Sequence, residues 1–373
     1  MTFDAVATPA LVLDVNTVRR NADAMRDRLH RLGCSIRPHI KTHKCVEIAR
    51  MQVERPHGPI TVSTLAEAHA FADEGYHDIV YAVPLEPGKF DAVFALTSRC
   101  RLAVLADDVD VVDELSTAAA VAGQVVDVLV KVDCGYHRCG VLPDTPEAMR
   151  LIERVDRARQ LRFAGLLTHA GQSYACRTLD ERRAVAAQER DAVVRLAARA
   201  AASGIEVPIV SVGSTPSLTA ADNLDGVTEG RPGNYVLFDL SQVARGTCTM
   251  ADCAVTLLAS VVHRDLTTWR IVVDAGSLAL SKDSGVTPTG ETPQFGQICD
   301  LDGTPIGTAL HYLAQEHGVF QCPSDYDIGR LRVGRRVRII PNHACLTVAQ
   351  HPRFHVLEGD RIREVWAIHA HWH

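Results

Sequence analysis

The stretch Val126-Asp127-Val128-Leu129-Val130-Lys131-Val132-Asp133, closed by Cys134-Gly135, is a short run dominated by β-branched and aliphatic residues. Such a run, bounded by turn residues, reads as a strand of a parallel sheet. Similar runs precede it at Ile36–Ile40, Ile60–Thr64, Asp78–Val83 and Leu102–Ala106, and follow it at Phe163–His169, Ile209–Gly213 and Gly226–Leu237. Amphipathic stretches lie among them, at Val18–Leu32, Leu65–Gly75, Pro146–Arg159 and Leu179–Gly204, the last closed by a glycine that stops a helix. Strands alternating with helices in this way predict an α/β fold, a (β/α)8 TIM-type barrel of eight units.

Beyond residue 246 the texture changes to alternating runs such as Ala254–Val262, Trp269–Asp274 and Arg335–Ile340, separated by Gly, Pro and Asp turns. This predicts a C-terminal β-rich domain. The early run Ala10–Asp14 stands one helix ahead of the barrel and is expected to pair with that C-terminal sheet. The expected partition is 1–24 joining the β domain, 25–245 as the barrel, and 246–373 as the β-rich domain.

Composition narrows the function. The chain has 373 residues, 47% hydrophobic and 23% charged, which suits a folded enzyme and neither a disordered nor a fibrous protein. Net charge is −6 and no long Lys/Arg stripe with interleaved aromatics occurs, so nucleic acid is a poor partner. No apolar run approaches the roughly 20 residues of a membrane span. The opening MTFDAVATPALVLD lacks the charged-then-apolar order of a signal peptide, which places the expected protein in the cytoplasm. Eleven cysteines, an odd number, favour reduced thiols over a disulfide framework.

The residues with chemistry gather where strands end, as catalytic residues do in barrels. Lys41 follows the first strand in Arg37-Pro38-His39-Ile40-Lys41-Thr42-His43-Lys44. Desolvation at a barrel mouth would free its amine for a Schiff base; the alternative is a solvated loop lysine. Gly213-Ser214-Thr215 and, one unit later, Arg231-Pro232-Gly233-Asn234-Tyr235 are turns whose N–H groups and hydroxyls suit a phosphate, although Gly-Ser-Thr-Pro is also ordinary turn chemistry. Arg138, between Gly135 and Gly140, could aim its fork at a ring nitrogen or carboxylate, or form a surface ion pair. His343-Ala344-Cys345 reads as a pair on an extended segment, both side chains on one side, with nitrogen and sulfur donors suited to Zn, Mn or Co and coordination positions left open. A buried His beside an inert Cys is the plainer reading. The tail His369, His371 and His373 is also rich in metal donors, yet it reads as an exposed end.

Taken together these motifs resemble the fold-type III pyridoxal-phosphate enzymes of the D-serine dehydratase and D-threonine aldolase family. The likeness runs through Thr8 to Asp14, Arg37 to Lys44, Arg138-Cys139-Gly140, Leu167-Thr168-His169-Ala170-Gly171, Ser211 to Thr215 and Pro341 to Cys345. It implies an alanine-racemase-like barrel plus β domain, with pyridoxal 5'-phosphate and a divalent metal as cofactors. Lys41 would carry the pyridoxal phosphate and Arg138 would face its ring nitrogen. Gly213, Ser214, Thr215, Gly233, Asn234 and Tyr235 would hold its phosphate, His169 and Tyr174 would lie beside it, and His343 with Cys345 would bind the metal. His317 matches a family segment and is assigned only to the neighbourhood of the site.

The implied reaction is dehydration of a β-hydroxy D-amino acid (D-serine, D-threonine or D-threo-3-hydroxyaspartate) to a 2-oxo acid and ammonia. Cleavage to glycine and an aldehyde is the alternative, and Cys345 favours dehydration because aldolases of the family tend to carry His-x-Asp at the metal pair. The segments Ile60–Leu65 and Leu224–Glu229 look nearest to the D-threo-3-hydroxyaspartate dehydratase branch. A homodimer is expected, because in related architectures the β domain of one subunit completes the site of another. Two further readings stay open: an amino-acid racemase, which needs no metal, and a non-enzymatic cofactor carrier, against which the long β-rich segment argues.

Overall fold

The computed structural model describes residues 1–284 and 294–369. They form two compact units, one made of Met1–Ala22 with Asn234–Ile368, the other of Asp23–Gly233 with His369. Strand β1 (Ala10–Asp14) is followed by eight parallel strands: β2 (Ser35–Ile36), β3 (Ile60–Val62), β4 (Asp78–Pro84), β5 (Arg101–Ala106), β6 (Val126–Val132), β7 (Leu161–Thr168), β8 (Ile209–Val212) and β9 (Glu229–Gly230). These eight make one curled sheet in the order β2-β9-β8-β7-β6-β5-β4-β3. A parallel bridge from His39 to Thr61, with the Thr61 N–H donating to the Pro38 carbonyl at 2.8 Å, joins the first strand to β3. The result is a TIM-like barrel.

Every residue of β6 is buried, so no alternation is possible and the run is apolar on both faces. Val80, Ala103, Leu105, Leu129, Ala164 and Leu167 from neighbouring strands form one core cluster. The surrounding helices carry local stop and start signals. Leu179–Ala202 opens with a capping box, in which the Thr178 hydroxyl and the Glu181 carboxylate each accept a backbone N–H. Val109–Ala122 is capped by Asp108 and ends at Gly123, whose φ of 65° a side chain would disfavour.

Two barrel strands are shorter than their apolar runs. The run 226–237 yields only Glu229–Gly230, because Pro232 lacks an N–H and the chain then turns through the 3-10 segment Asn234–Val236. The first run keeps Ser35–Ile36, and Pro38 breaks it before the 3-10 turn Ile40–Thr42 that bears Lys41.

The remaining strands are β10 (Val255–Asp265), β11 (Arg270–Val273), β12 (Gln297–Cys299), β13 (Pro305–Ala309), β14 (Tyr312–Leu313), β15 (Gly318–Gln321), β16 (Arg336–Ile340), β17 (Arg353–Glu358) and β18 (Arg361–Ala367). They form a separate sheet in the order β13-β12-β16-β10-β1-β17-β18, with β11, β15 and β14 branching from β10. As expected from sequence, β1 belongs here, antiparallel to β10 through Leu11 and Leu257 and parallel to β17 through Leu13 and Val356. Its Leu11, Val12 and Leu13 are fully buried, as suits a central strand.

Residues 234–245, read from sequence as the end of the barrel, pack with this C-terminal unit. Hydrogen bonds hold them there: Leu240 N–H donates to the Pro341 carbonyl, Ser241 N–H to that of Asn342, and Ala254 N–H to that of Leu237. Among the described residues no helix is long and apolar enough to cross a membrane.

Candidate active site

Lys41 is exposed on a turn whose other residues are anchored. Ile40 and Thr42 are fully buried, and His39 caps the turn, its Nδ1 accepting the Lys41 N–H. One residue on, the His43 Nε2 donates to Gln52 Oε1 at 2.8 Å, its Nδ1 takes the Cys45 N–H, and burial lowers its pKa to about 4. This anchoring leaves the Lys41 amine as the part of the turn open to chemistry.

Two imidazoles stand beside that amine. Burial, then Lys41 and Arg231, hold His39 well below the ordinary histidine pKa. His169 is held down by burial and by Lys41, Lys131 and Arg138, against a backbone bond that favours its charge. Its Nδ1 sits 2.5 Å from the Gly213 carbonyl oxygen, which can only accept, so Nδ1 carries the proton and Nε2 keeps a lone pair. Both rings are neutral at physiological pH, set among two lysines and two arginines.

Lys131, the last residue but one of β6, is buried and donates from Nζ to the Val132 carbonyl at 3.2 Å; burial lowers its pKa to about 8. Arg231, also buried, donates to the Ser211 hydroxyl and the Thr168 carbonyl, with its pKa lowered to about 10, burial again the largest cause.

One buried carboxylate fixes the ends of β7 and β8. Glu189, on the helix Leu179–Ala202, accepts the Ala170 N–H at 2.8 Å and the Gly213 N–H at 3.0 Å through Oε1, and the Ser217 hydroxyl at 2.7 Å through Oε2. The Ser214 hydroxyl also faces the protein, 2.8 Å from the hydroxyls of both Ser173 and Ser217. What this turn can offer a phosphate is therefore its backbone at residues 214–215 and not the serine hydroxyl. Space is tight here: a Cβ on Gly213 would come within 2.8 Å of the Arg231 backbone, and one on Gly233 within 3.3 Å of His39.

After β6, Asp133 organises the loop that bears Arg138. Its carboxylate accepts the N–H groups of Gly135 and His137 at 2.9 and 3.0 Å, and the backbone bonds help hold its pKa low despite burial. Arg138 is exposed, its guanidinium 5.3 Å from the Tyr136 ring centre. Tyr136 packs against Gly171, where a Cβ would meet its ring atoms at 2.3–2.5 Å, and stands edge-on to His169 at 6.3 Å. Tyr174 also neighbours His169, with ring centres 6.5 Å apart and planes tilted. Lys41, Arg138, His169, Tyr174 and the Gly213 turn thus share one end of the barrel.

The remaining candidates lie in the C-terminal unit. Asn234 and Tyr235 are buried in its first turn. His317 is exposed in the turn between β14 and β15. His371 and His373 fall outside the described residues.

His343 and Cys345 are not on a strand, contrary to the expectation of an extended segment. Strand β16 ends at Ile340, Pro341 follows, and His343 is the N-cap of the short helix Ala344–Val348. The two side chains nonetheless face each other in hydrogen-bonding contact. His343 Nδ1 is also 2.9 Å from Asp283 Oδ2. Burial opposes charge on this imidazole, but Cys345, Asp239 and Asp283 outweigh it and push its pKa up to about 9.

Such an electron-rich pocket, one imidazole and one thiol with a carboxylate behind the ring, is the chemistry of a cation site with open positions. Among the described residues no group of three or more His, Cys, Asp or Glu side chains converges on a metal position. Two donors are fewer than the four of a closed structural zinc site.

Sequence reasoning missed Lys131, Glu189, Asp239 and Asp283. Lys131 had a visible signal, a lone cation inside an apolar strand. The three carboxylates had none, since each is one acidic residue among many until its partners are known.

The chain matches the family described as alanine racemase, N-terminal domain, over residues 13–241, and the putative serine dehydratase domain over 254–357. It is 38% identical over 365 residues to D-threo-3-hydroxyaspartate dehydratase of Delftia sp. (strain HT23), covering 96% of each chain. It is 33% identical over 386 residues to D-serine dehydratase of Dictyostelium discoideum, covering 98% of this chain and 97% of that one. The solved structure of the Delftia sp. HT23 dehydratase superposes with a TM-score of 0.95 at 37% identity over the full length of both chains. With both halves matched and the fold shared end to end, the chain belongs to the alanine-racemase-like family of D-serine dehydratases and D-threonine aldolases.

Proposed function

We propose that this chain is a pyridoxal-phosphate- and divalent-metal-dependent lyase that dehydrates β-hydroxy D-amino acids to a 2-oxo acid and ammonia. The observation that carries the reading is the grouping of an exposed lysine with two neutral imidazoles and further cations at the barrel's strand ends. That set suits an anionic aldehyde bearing a phosphate. In this reading Lys41, Arg138, His169, Gly213, Ser214, Thr215, Gly233, Asn234 and Tyr235 hold the cofactor and Tyr174 lies beside it.

The cofactor, when bound, withdraws electrons and acidifies the Cα–H bond of the substrate. Lys41 Nζ takes that proton as general base, and as an ammonium it can return a proton to the departing hydroxyl. His169 Nε2, with its lone pair open, accepts a hydrogen bond from a polar group of the substrate. Arg138 supplies a fixed cation on the Tyr136 ring. A Zn, Mn or Co ion on His343 and Cys345 would act as Lewis acid on the β-hydroxyl. Asp283 would keep His343 oriented towards that ion.

D-Serine, D-threonine and D-threo-3-hydroxyaspartate are the candidate substrates, the last favoured by the Delftia relative, and a cytoplasmic homodimer is the expected form. Incubation of purified protein with each of them, and with D-erythro-3-hydroxyaspartate, with and without EDTA, tests the reading. A 2-oxo acid with equimolar ammonia, lost on EDTA treatment, supports it. Glycine plus aldehyde as sole products would replace dehydration with aldol cleavage, and EDTA-insensitive racemisation would replace the lyase reading.

A further inference from the structure

Two cysteines stand side by side in the C-terminal unit. Cys248 and Cys253 are free thiols, partly exposed, and their side chains are in hydrogen-bonding contact. The turn between them brings this about. The Thr249 N–H and hydroxyl both donate to Asp252 Oδ2 at 2.8 Å, and the N–H groups of Asp252 and Cys253 donate to the carbonyls of Thr249 and Met250 at 3.1 Å. The chain folds back over residues 249–252, and Cys253 Sγ comes to lie 4.0 Å from the carbonyl oxygen of Thr249, the neighbour of Cys248.

The turn is also fastened from outside. Arg20 Nη2 donates to the Ala251 carbonyl at 2.9 Å, Asn21 Nδ2 to that of Asp252 at 2.8 Å, and the Ala254 N–H to that of Leu237 at 2.7 Å. The backbone therefore holds the two sulfurs together with no covalent bond between them. Cys253 keeps its proton, because the bond to Cys248 and then burial push its thiol far above the usual range. That leaves Cys248 as the sulfur that attacks first, since disulfide exchange proceeds through the thiolate.

We propose that Cys248 and Cys253 are a redox-active dithiol that closes to an intrachain disulfide when it meets a low-molecular-weight disulfide such as oxidised glutathione. Cys248 Sγ attacks one sulfur of that oxidant, whose S–S bond breaks, and the first thiol leaves with the proton that Cys248 gave up. Cys253 then releases its proton and attacks Cys248 Sγ, which forms the Cys248–Cys253 bond and expels the second thiol. Two cysteine thiols are oxidised and one external disulfide is reduced to two thiols, so electrons and protons balance.

The test exposes reduced full-length protein to glutathione buffers of rising oxidised content. Remaining thiols are then blocked with N-ethylmaleimide in denaturant, and the tryptic peptide 246–264, which carries both cysteines and no other, is weighed by mass spectrometry. The expected product is this peptide short of two hydrogens and free of alkyl groups. It should form at a concentration of oxidised glutathione at least about tenfold below that needed by the chain unfolded in urea, because only the folded turn holds the sulfurs in contact. Cys253→Ser should stop at a glutathione adduct on Cys248, and Cys248→Ser should leave Cys253 without one in the same buffer; melting temperatures confirm that both variants are folded. Two alkylated cysteines in the wild-type peptide throughout the series would overturn the proposal. So would disulfides to a second chain in place of the intrachain bond, equal sensitivity of folded and unfolded protein, or equal adducts in the two variants.

Discussion

Removing Glu189 should loosen the barrel at the place where the candidate site is built. Its carboxylate is 1% exposed and accepts three hydrogen bonds, two of them from the N–H groups of Ala170 and Gly213 at the ends of adjacent strands. Hydrogen bonds to a buried charge contribute about 1.5–3 kcal/mol each. Glu189→Ala relieves the cost of burying the charge but strands both N–H groups, so the net loss should be about 3–5 kcal/mol. For a unit of this size that lowers the melting temperature by roughly 6–20 °C. Glu189→Gln keeps a neutral acceptor for both N–H groups and should lose only about 1–2 kcal/mol. Differential scanning calorimetry of both variants, with and without cofactor, measures the difference. If the two melt within about 1 °C of each other, the strand-end hydrogen bonds are not what Glu189 contributes and the account above is wrong.

Further outcomes follow from the same geometry. Gly171→Ala places a Cβ inside the Tyr136 ring; since Tyr136 can swing into solvent, turnover should fall at least about tenfold while the melting temperature holds, and steady-state kinetics beside calorimetry checks the split. His43 has a pKa lowered to about 4 by burial against about 6.5 when unfolded, so the unfolded chain takes up the proton first as pH falls. Its contribution, about 3 kcal/mol, is complete above pH 6.5 and lost towards pH 4, and a His43→Asn variant should show a flatter dependence of urea midpoint on pH over that window. Lys41→Ala should lose covalently attached cofactor, read as disappearance of the borohydride-reducible label from the peptide containing residue 41; a label persisting on another lysine would reassign the anchor.

The barrel was legible because its strands are buried on both faces. Where neither face meets water, a run such as Val126–Val132 must be apolar throughout, and that needs no partner to be recognised. Lys41, His169, Arg138, His343 and Cys345 stood out in the sequence for a different reason: each alone has an ordinary reading, such as a solvated lysine or a buried His beside an inert Cys, and only the order of the family motifs singles them out. Positions that depend on distant partners did not. Residues 234–245 look like the end of the barrel until the carbonyls of Pro341 and Asn342, a hundred residues on, are seen to hold them. The His343–Cys345 pair read as extended because nothing local announces that Asp239 will take the Ala344 N–H and start a helix there. Glu189 is one of several acidic residues on a long helix, and only the fold shows that it alone is buried against Ala170 and Gly213.

The placement of β1 sets an order of events during synthesis. Its Leu11 pairs with Leu257 and its Leu13 with Val356, so the strand leaves the ribosome about 240 residues before its first partner. At about 5–20 residues per second that is a wait of roughly 12–50 s, during which every barrel strand emerges and can pair. Nascent chains whose first 240 residues have left the ribosome should therefore hold a formed barrel and an unpaired apolar N-terminal strand, and the second sheet can close only once β17 has also emerged. A chain lacking its first fourteen residues would keep all eight barrel strands and lose the centre of the other sheet.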